Sequence, residues 1–172
     1  MLSNLEALIL GIIQGLTEFL PISSTGHLYL GRHLFGLQEA GLMLDTMLHI
    51  GTLAAVFVFY RREFLHILRN PFGKMTWLLV VGTIPAVIIG FTFRDFFDNI
   101  SKTGVTIGWE FLLTGCMLWF AETIREGRKK MNDITTGDAL FIGIFQAAAI
   151  LPAVSRSGFT IAAALMRKLD RE

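Results

Sequence analysis

Residues 14–27 read QGLTEFLPISSTGH and interrupt an apolar stretch that runs from residue 5 to residue 36. Pro21 disfavours helix at the residue before it, and the serines, threonine and glycine that follow are typical of a polar loop. Each flanking half is shorter than the roughly 17–25 apolar residues that a membrane span needs. Irregular backbone at membrane depth is tolerated only inside protein or beside a cavity. The stretch 5–36 therefore predicts a re-entrant helix-loop-helix hairpin.

A second interruption of the same kind lies in residues 139–166, with LPAVSRSGFT in its middle. A shift of 132 positions places Gln14 on Gln146 and Gly26 on Gly158. We interpret the two stretches as an internal repeat. Three longer apolar segments separate them, and an odd number of spans reverses orientation. The two hairpins are therefore predicted to enter the membrane from opposite faces and to meet near its middle, where such folds place the ligand site.

The composition indicates a membrane protein. Of the 172 residues, 53% are hydrophobic and 17% are charged, whereas a soluble domain carries about 25% charged residues. A fold this small cannot bury so much apolar surface. Segments 42–60, 75–93 and 105–121 are each predicted to span the membrane. The predicted fold is an all-α integral membrane protein, an inverted repeat of two re-entrant hairpins with three spans between them.

The loops between these segments predict the topology. The first repeat covers residues 1–121, a cytoplasmic loop covers 122–138, and a second, incomplete repeat begins within 139–172. Loops 61–74 and 122–138 are rich in Lys and Arg and are predicted to face the cytoplasm, which leaves loop 94–104 outside. The net charge of +1 argues against a nucleic-acid partner. The sequence is compatible with a homo-oligomer as well as with a monomer.

Polar residues of the first hairpin form a candidate catalytic set. Gln14 and Glu18 are four residues apart and share a helix face. Ser24 and His27 follow the break at Pro21. Ionisable residues within a membrane are costly and mark function by default, although a glutamate paired for packing is the alternative.

The second hairpin carries a candidate phosphate site. Arg156 lies between Ser155 and Ser157, and Thr160 follows. A guanidinium can bind phosphate through two parallel hydrogen bonds, and turns of small hydroxyl residues add anion-binding donors. An arginine that extends toward the lipid headgroups is the alternative.

Two further features concern metal binding. Asp45 and His49 are four residues apart in the first span and form a possible secondary site, since such a pair can bind a metal, orient a catalytic group or satisfy itself within the bundle. The oxygens of Gln14 and Glu18 suit a divalent cation, Mg²⁺ or Ca²⁺, shared with phosphate oxygens. Together with the arginine and the hydroxyls they predict a phosphoryl-transfer site.

These motifs resemble those of the undecaprenyl-diphosphate phosphatase family, the membrane phosphatases of bacitracin resistance. The stretch 14–27 resembles the family's [E/Q]xxxE motif, the VSRSG segment after Pro152 resembles its PGxSRSG motif with Ala153 in place of the glycine, and residues 45–56, DTMLHIGTLAAV, resemble the segment after its first hairpin. The resemblance covers essentially the whole chain.

The resemblance implies a metal-dependent enzyme of the cytoplasmic membrane with several passes. Such an enzyme hydrolyses undecaprenyl diphosphate, a polyprenyl diphosphate lipid, to the monophosphate and phosphate, and so recycles the lipid carrier for peptidoglycan synthesis in the cell wall. It implies that Glu18 is the essential acid with Gln14 as its partner, that Ser24 and His27 are catalytic, and that the phosphate ligands are Ser155, Arg156 and Thr160.

Two alternative functions remain at this point. A lipid-phosphate transporter or flippase is one, because inverted repeats with broken helices are typical of carriers. An inactive fragment is the other, because members of the family are longer and the spans of the second repeat are expected to be missing here. The residues alone do not decide between Ser24 and His27 as the nucleophile.

Overall fold

The computed structural model describes residues 3–37, 41–124 and 127–170, and within these residues the chain is all helical. The predicted ranges 1–121, 122–138 and 139–172 also contain residues outside that description, namely 1–2, 38–40, 125–126 and 171–172. Nine α-helices follow one another in the described residues: α1 (Asn4–Thr17), α2 (Ser24–Leu34), α3 (Gly41–Phe59), α4 (Arg61–Arg69), α5 (Lys74–Thr92), α6 (Arg94–Thr103), α7 (Ile107–Glu122), α8 (Thr136–Ala148) and α9 (Arg156–Met166).

Each interrupted stretch folds as helix, loop and helix, which confirms this part of the prediction. Helices α1 and α2 form the first hairpin, and α8 and α9 form the second. A shift of 132 positions carries α2 onto α9, since Ser24 maps to Arg156 and both helices have 11 residues. The first helices, α1 and α8, have 14 and 13 residues. Each half is therefore shorter than a membrane span.

The hairpins also begin alike. Ser3 caps α1 and Thr135 caps α8, and each forms a capping box with the carboxylate three residues later, Glu6 and Asp138. The cap oxygen accepts a backbone N–H of the first turn while the carboxylate accepts the N–H of the cap residue. A shift of 132 positions relates both residues of one box to those of the other.

The second helices of the hairpins begin and end alike as well. Ser23 caps α2 through the N–H of Gly26, and Ser155 caps α9 in the same way. Beyond the helices, Gly36 and Lys168 occupy equivalent positions and have positive φ angles of 67° and 62°. The two hairpins therefore match at more positions in the structure than the few identical residues in their sequences.

The three segments between the hairpins are helical, but they differ from three simple spans. Within the described residues, α5 alone is long and apolar enough by itself to cross a membrane. Residues 43–59 of α3 meet that criterion together with α4, from which they are bent by 76°. Helix α7 has 16 residues, just below the length of roughly 17–25 that a span needs.

Two predicted loops are wrong. Segment 61–74 contains α4 and segment 94–104 contains α6. Their charge suggested loops, but each also carries apolar residues at helical spacing, Phe64 and Leu68 in α4 and Phe96 and Ile100 in α6. An amphipathic helix combines both properties.

The exterior of the described helices is apolar. Large apolar side chains that are at least half exposed occur on every long helix: Leu5, Leu8, Leu16, Met43, Leu53, Phe59, Trp77, Leu79, Ile88, Phe91, Trp109, Leu112, Trp119 and Ile144. Soluble monomers rarely expose contiguous apolar surface on this scale. The surface agrees with a membrane protein.

Helices α5 and α8 cross at glycines. A Cβ atom on Gly143 would collide with the carbonyl oxygen of Gly82, and a Cβ atom on Gly82 would lie 3.3 Å from the carbonyl oxygen of Ala139. Small residues allow helix backbones to approach closely in membranes. The second hairpin is thus held against α5 through backbone contact.

We expect Gly143→Ala to destabilise this crossing. The added methyl group meets backbone that has no flexible end to move, and overpacking of this kind costs about 1–3 kcal/mol. Thermal unfolding of the purified protein in detergent measures the effect. Gly137→Ala in the same helix is the control, because its Cβ atom would meet nothing closer than Thr135 Oγ1 at 3.8 Å. Equal melting temperatures for the two variants would contradict the close backbone contact between α5 and α8 at Gly143.

A buried carboxylate ties the ends of the second hairpin together. Asp138 is fully buried, and it accepts hydrogen bonds from Lys129 Nζ at 3.1 Å and Arg167 Nε at 2.6 Å. Its second oxygen accepts the Thr135 hydroxyl at 2.8 Å. Burial raises the pKa of Asp138, but the hydrogen bonds from Thr135, Arg167 and Lys129 outweigh burial and hold the pKa well below its ordinary value of 3.8.

Asp138→Asn is expected to lower the free energy of unfolding by about 2 kcal/mol, because it removes a charged acceptor that two cations share. The lowered pKa means that this contribution is complete above about pH 4 and is lost as the pH falls further. Thermal unfolding of the wild type and the variant at several pH values tests this. The difference between their melting temperatures should disappear in acid. Glu6→Gln, the equivalent change at the more exposed capping box of α1, should have little effect at any pH. An equally large difference in melting temperature in acid would argue against the ion pairs of Asp138 with Lys129 and Arg167.

Candidate active site

The loops of the two hairpins meet each other. A Cβ atom on Gly26 would lie 2.9 Å from Ala153 Cβ, and a Cβ atom on Gly158 would lie 3.1 Å from the carbonyl oxygen of Pro21. A shift of 132 positions relates Gly26 to Gly158 and Pro21 to Ala153. The two contacts are therefore reciprocal, as contacts across a two-fold axis are.

Helix α7 supports the loop of the second hairpin. Glu110 is buried; its carboxylate accepts the N–H of Ala153 and the hydroxyl of Thr106. The Thr114 hydroxyl accepts the N–H of Ser155 at 3.1 Å. These bonds satisfy loop backbone that would otherwise be unpaired. The sequence favours a structural role for Glu110 but cannot identify its partner, because a backbone N–H leaves no pattern in the sequence.

A cavity of about 590 Å³ lies between the two loops. Its polar lining comes from both hairpins and from α3 and α6: Thr17, Glu18, Ser23, Ser24, Thr25, His49, Ser101, Gln146, Ser155, Arg156, Ser157 and Thr160. The structure therefore brings the predicted acid and serine of the first hairpin together with the predicted phosphate ligands of the second. These residues are distant in sequence, and the meeting of the loops creates the site.

Glu18 accepts several hydrogen bonds on the acidic side of the cavity. Its Oε2 atom accepts Gln14 Nε2 at 2.9 Å and the Ser24 hydroxyl at 2.5 Å. The Nε2 atom of His49 lies 3.9 Å from the same oxygen. Helical spacing aligns Gln14 with Glu18, and the break near Pro21 returns the chain so that Ser24 faces the carboxylate. A hydroxyl that donates to a carboxylate has the geometry of a nucleophile with its base.

Arg156 lies at the start of α9, with its side chain exposed. No hydrogen bond or ion pair links its guanidinium to another residue within 3–37, 41–124 or 127–170. The N-terminus of α9 adds partial positive charge at the same place. Arg156 and this helix end can together hold a phosphate group.

The hydroxyl residues around Arg156 divide into two kinds. Ser155 is buried and accepts the N–H of Gly158 at 3.1 Å, and the Thr160 hydroxyl donates to the carbonyl of Arg156 at 2.9 Å. Both hydroxyls are thus engaged in shaping the start of α9. Ser157 Oγ lies 3.2 Å from Ser155 Oγ and lines the cavity, so it is better placed to contact a ligand.

His27 does not line the cavity. Its Nδ1 atom is 2.8 Å from the carbonyl oxygen of Ser23, and its ring meets Phe111 edge-on at 5.2 Å. In this position His27 holds the loop before α2, and among the described residues its ring forms no hydrogen bond with Glu18 or Ser24.

The predicted pair of Asp45 and His49 is divided in the structure. Asp45 forms an ion pair with Arg32 at 3.2 Å, while His49 Nδ1 bonds the carbonyl oxygen of Asp45 rather than its carboxylate. Only His49 reaches the cavity. The Asp45 carboxylate is therefore committed to packing α2 against α3.

The oxygen atoms of Gln14 and Glu18 are of the kind that a hard divalent cation binds. Gln14 is buried, and its Oε1 atom has no hydrogen-bond partner, although its amide nitrogen contacts Glu18. Mg²⁺ and Ca²⁺ bind such amide and carboxylate oxygens, with phosphate oxygens as further ligands. Within the described residues no three His, Cys, Asp or Glu side chains cluster around a metal position. Of the two predicted metal ligands, Glu18 lines the cavity, whereas Gln14 lies behind it and is not part of the lining.

Comparison with known proteins identifies clear relatives. The family described as "Bacitracin resistance protein BacA" matches residues 7–172. The chain is 72% identical over 168 residues to "Undecaprenyl-diphosphatase 4" of Bacillus thuringiensis (strain Al Hakam). The matched residues cover 98% of this chain and 65% of that protein. The chain is 47% identical over 171 residues to the "Undecaprenyl-diphosphatase" of Carboxydothermus hydrogenoformans, with 99% and 66% covered. The chain thus spans about 65% of the length of these relatives.

Proposed function

The chain belongs to the BacA family of bacitracin resistance proteins, and from that premise we propose that it hydrolyses undecaprenyl diphosphate to the monophosphate and phosphate. This reaction recycles the lipid carrier for cell-wall synthesis. The observation that carries the proposal is that the hydrogen-bonded pair of Ser24 and Glu18 and the exposed residue Arg156 line the same cavity. The names of the relatives supply the substrate class.

The first step transfers the terminal phosphoryl group to the protein. Arg156 binds the terminal phosphate, assisted by Ser157 and the N-terminus of α9, while Ser155 and Thr160 hold the shape of that helix start. Glu18 accepts the proton of the Ser24 hydroxyl, and Ser24 Oγ forms a bond to the terminal phosphorus. The phosphoanhydride bond breaks, and the lipid monophosphate leaves with the proton that Glu18 returns.

The second step releases phosphate. Glu18 accepts a proton from water, and the water oxygen forms a bond to the phosphorus held by Ser24. The Oγ–P bond breaks, phosphate leaves, and Ser24 recovers its proton from Glu18. A divalent cation, Mg²⁺ or Ca²⁺, held by Gln14 and Glu18 would neutralise phosphate charge. His27 steadies the loop through the Ser23 carbonyl. His49 lies near Glu18 and would be a secondary ligand of such a cation.

Phosphate release by the purified protein tests this function. We expect undecaprenyl diphosphate with Mg²⁺ or Ca²⁺ to yield phosphate, and a chelator to stop the release. Ser24→Ala should remove the activity, whereas Ser101→Ala, a serine that lines the cavity from α6, should retain it. Mass spectrometry after acid quenching should find phosphate on Ser24. Full activity of Ser24→Ala would contradict the assigned nucleophile.

We infer an inverted repeat in the cytoplasmic membrane, with the first repeat in 1–121, a cytoplasmic segment at 122–138 and the second repeat from 139. Helices α3, α5 and α7 cross the bilayer, and the hairpins enter from opposite faces as re-entrant elements. The matched helix ends and the reciprocal contacts of the loops support this inference.

Cysteine labelling tests the topology. In a Cys116→Ala background, we expect Leu68→Cys and Arg128→Cys to react only with reagents that reach the cytoplasm, because Lys and Arg concentrate around both positions. Asp98→Cys is the control and should react from outside. Reaction of positions 68 and 128 from outside would contradict the proposed orientation.

A lipid-phosphate transporter or flippase is the second candidate, favoured by the meeting of two broken-helix hairpins. A carrier needs an anion site but no nucleophile bonded to a base. Movement of undecaprenyl diphosphate across vesicles without any phosphate release would favour the carrier over the phosphatase.

A further inference from the structure

Gln146 lines the cavity, yet the catalytic scheme gives it no role. It lies in α8, two residues before the helix ends, and is partly buried. No described residue forms a hydrogen bond with its carboxamide, which faces the space between the loops. Because the side chain is only partly buried and lines the cavity, its carboxamide is accessible to a ligand that enters there.

The internal repeat shows why this side chain has no partner. Its equivalent in the first hairpin is Gln14, whose amide nitrogen donates to Glu18 at 2.9 Å. The position four residues after Gln146 is occupied by Ile150, which has no acceptor. The same side chain therefore stands at the same helical position in both hairpins, but its intramolecular acceptor exists in only one of them.

A second replacement changes the charge beside Gln146. The residue equivalent to Ser24 is Arg156. Between the two copies, a carboxylate has become an isoleucine and a hydroxyl has become a guanidinium. An anion that Glu18 would repel is thus favoured on the side of the cavity formed by Gln146 and Arg156, and a carboxamide can offer it two N–H donors.

We propose that Gln146 is a further substrate-binding residue, whose carboxamide N–H groups donate to a phosphate oxygen of the diphosphate head beside Arg156. The proposal rests on the proposed function for the identity of the ligand. The acceptor missing from the protein is supplied by the substrate. Because the amide is neutral, it contributes hydrogen bonds and orientation, and Arg156 contributes the charge.

Binding and turnover of two Gln146 variants test the proposal. Gln146→Glu preserves shape but replaces the donors with a carboxylate that repels phosphate, and Gln146→Leu removes the donors without adding charge. Ligand-induced shifts in melting temperature, measured in the Ser24→Ala background, give the affinity for undecaprenyl diphosphate, with the phosphate-free alcohol undecaprenol as the matched probe.

We expect Gln146→Leu to weaken diphosphate binding about fivefold to tenfold, and Gln146→Glu to weaken it further, while undecaprenol binding stays unchanged. In the active protein KM should rise more than kcat falls. Unchanged diphosphate affinity in both folded variants would overturn the proposal, as would an equal loss of undecaprenol binding. If one variant does not fold, the other and Gln146→Asn still decide. A wild-type protein that binds the diphosphate but releases no phosphate would contradict the proposed function alone, since the binding comparison stands without turnover.

Discussion

Glu18→Gln should reduce phosphate release about 1000-fold or more. The substitution preserves the shape of the side chain but removes the group that accepts the Ser24 proton, and general-base catalysis contributes roughly 10²–10⁴-fold. The carboxamide oxygen can still accept the hydrogen bond from Gln14 Nε2, so the local structure should be retained. We expect kcat to fall while the affinity for undecaprenyl diphosphate changes little.

The measurement is the rate of phosphate release at saturating substrate, with Mg²⁺ or Ca²⁺ raised to excess. Excess cation should not restore the rate, because a metal ion cannot accept the proton of the Ser24 hydroxyl in place of the carboxylate. Glu63→Gln, an exposed glutamate of α4, is the control and should behave as wild type. A Glu18→Gln protein with normal turnover and normal metal dependence would place the base and the cation elsewhere, with His49 the next candidate.

Arg156→Lys should lower kcat/KM at least about tenfold, which corresponds to ~1.4 kcal/mol of transition-state stabilisation. Lysine retains the positive charge but cannot form the planar two-point contact with phosphate. The guanidinium has no protein partner to lose within the described residues, so the fold should be unaffected.

Kinetics with undecaprenyl diphosphate, together with thermal unfolding, separate these two effects. Arg128→Lys, at an exposed arginine outside the helices, is the control. Wild-type turnover by Arg156→Lys would mean that the side chain supplies charge alone. A lowered melting temperature would mean that Arg156 has a structural role that its exposed position does not reveal.

Local chemistry made the hairpins predictable from sequence. Pro21 and the run of serines after it break a helix whatever surrounds them, and the caps at Ser3 and Thr135 obey short-range rules. The repeat inferred from the sequence predicted that Glu18 and Arg156 share a site, because equivalent loops of an inverted repeat meet, and both residues line one cavity.

Long-range partners could not be predicted in the same way. Spacing allowed Asp45 to pair with His49, but Arg32 from α2 competes for the carboxylate, and only the packing of α2 on α3 decides the outcome. Glu110 bonds a backbone N–H 43 residues away, for which the sequence has no signal. His27 was expected at the catalytic centre, whereas Phe111 and the Ser23 carbonyl hold it outside the cavity lining.

The reciprocal contacts between the hairpin loops bear on the origin of the chain. Two separate copies of a half-length ancestor could make both contacts as a symmetrical dimer, so gene duplication followed by fusion is a sufficient route to this architecture. Such a dimer must carry the same side chain at equivalent positions of both loops, whereas this chain has Glu18 at one position and Ile150 at its equivalent, and Ser24 at one position and Arg156 at its equivalent. A single polypeptide is free of that constraint. One loop can keep the carboxylate and the hydroxyl while the other carries the guanidinium, so that the two loops contribute different chemical groups to one cavity.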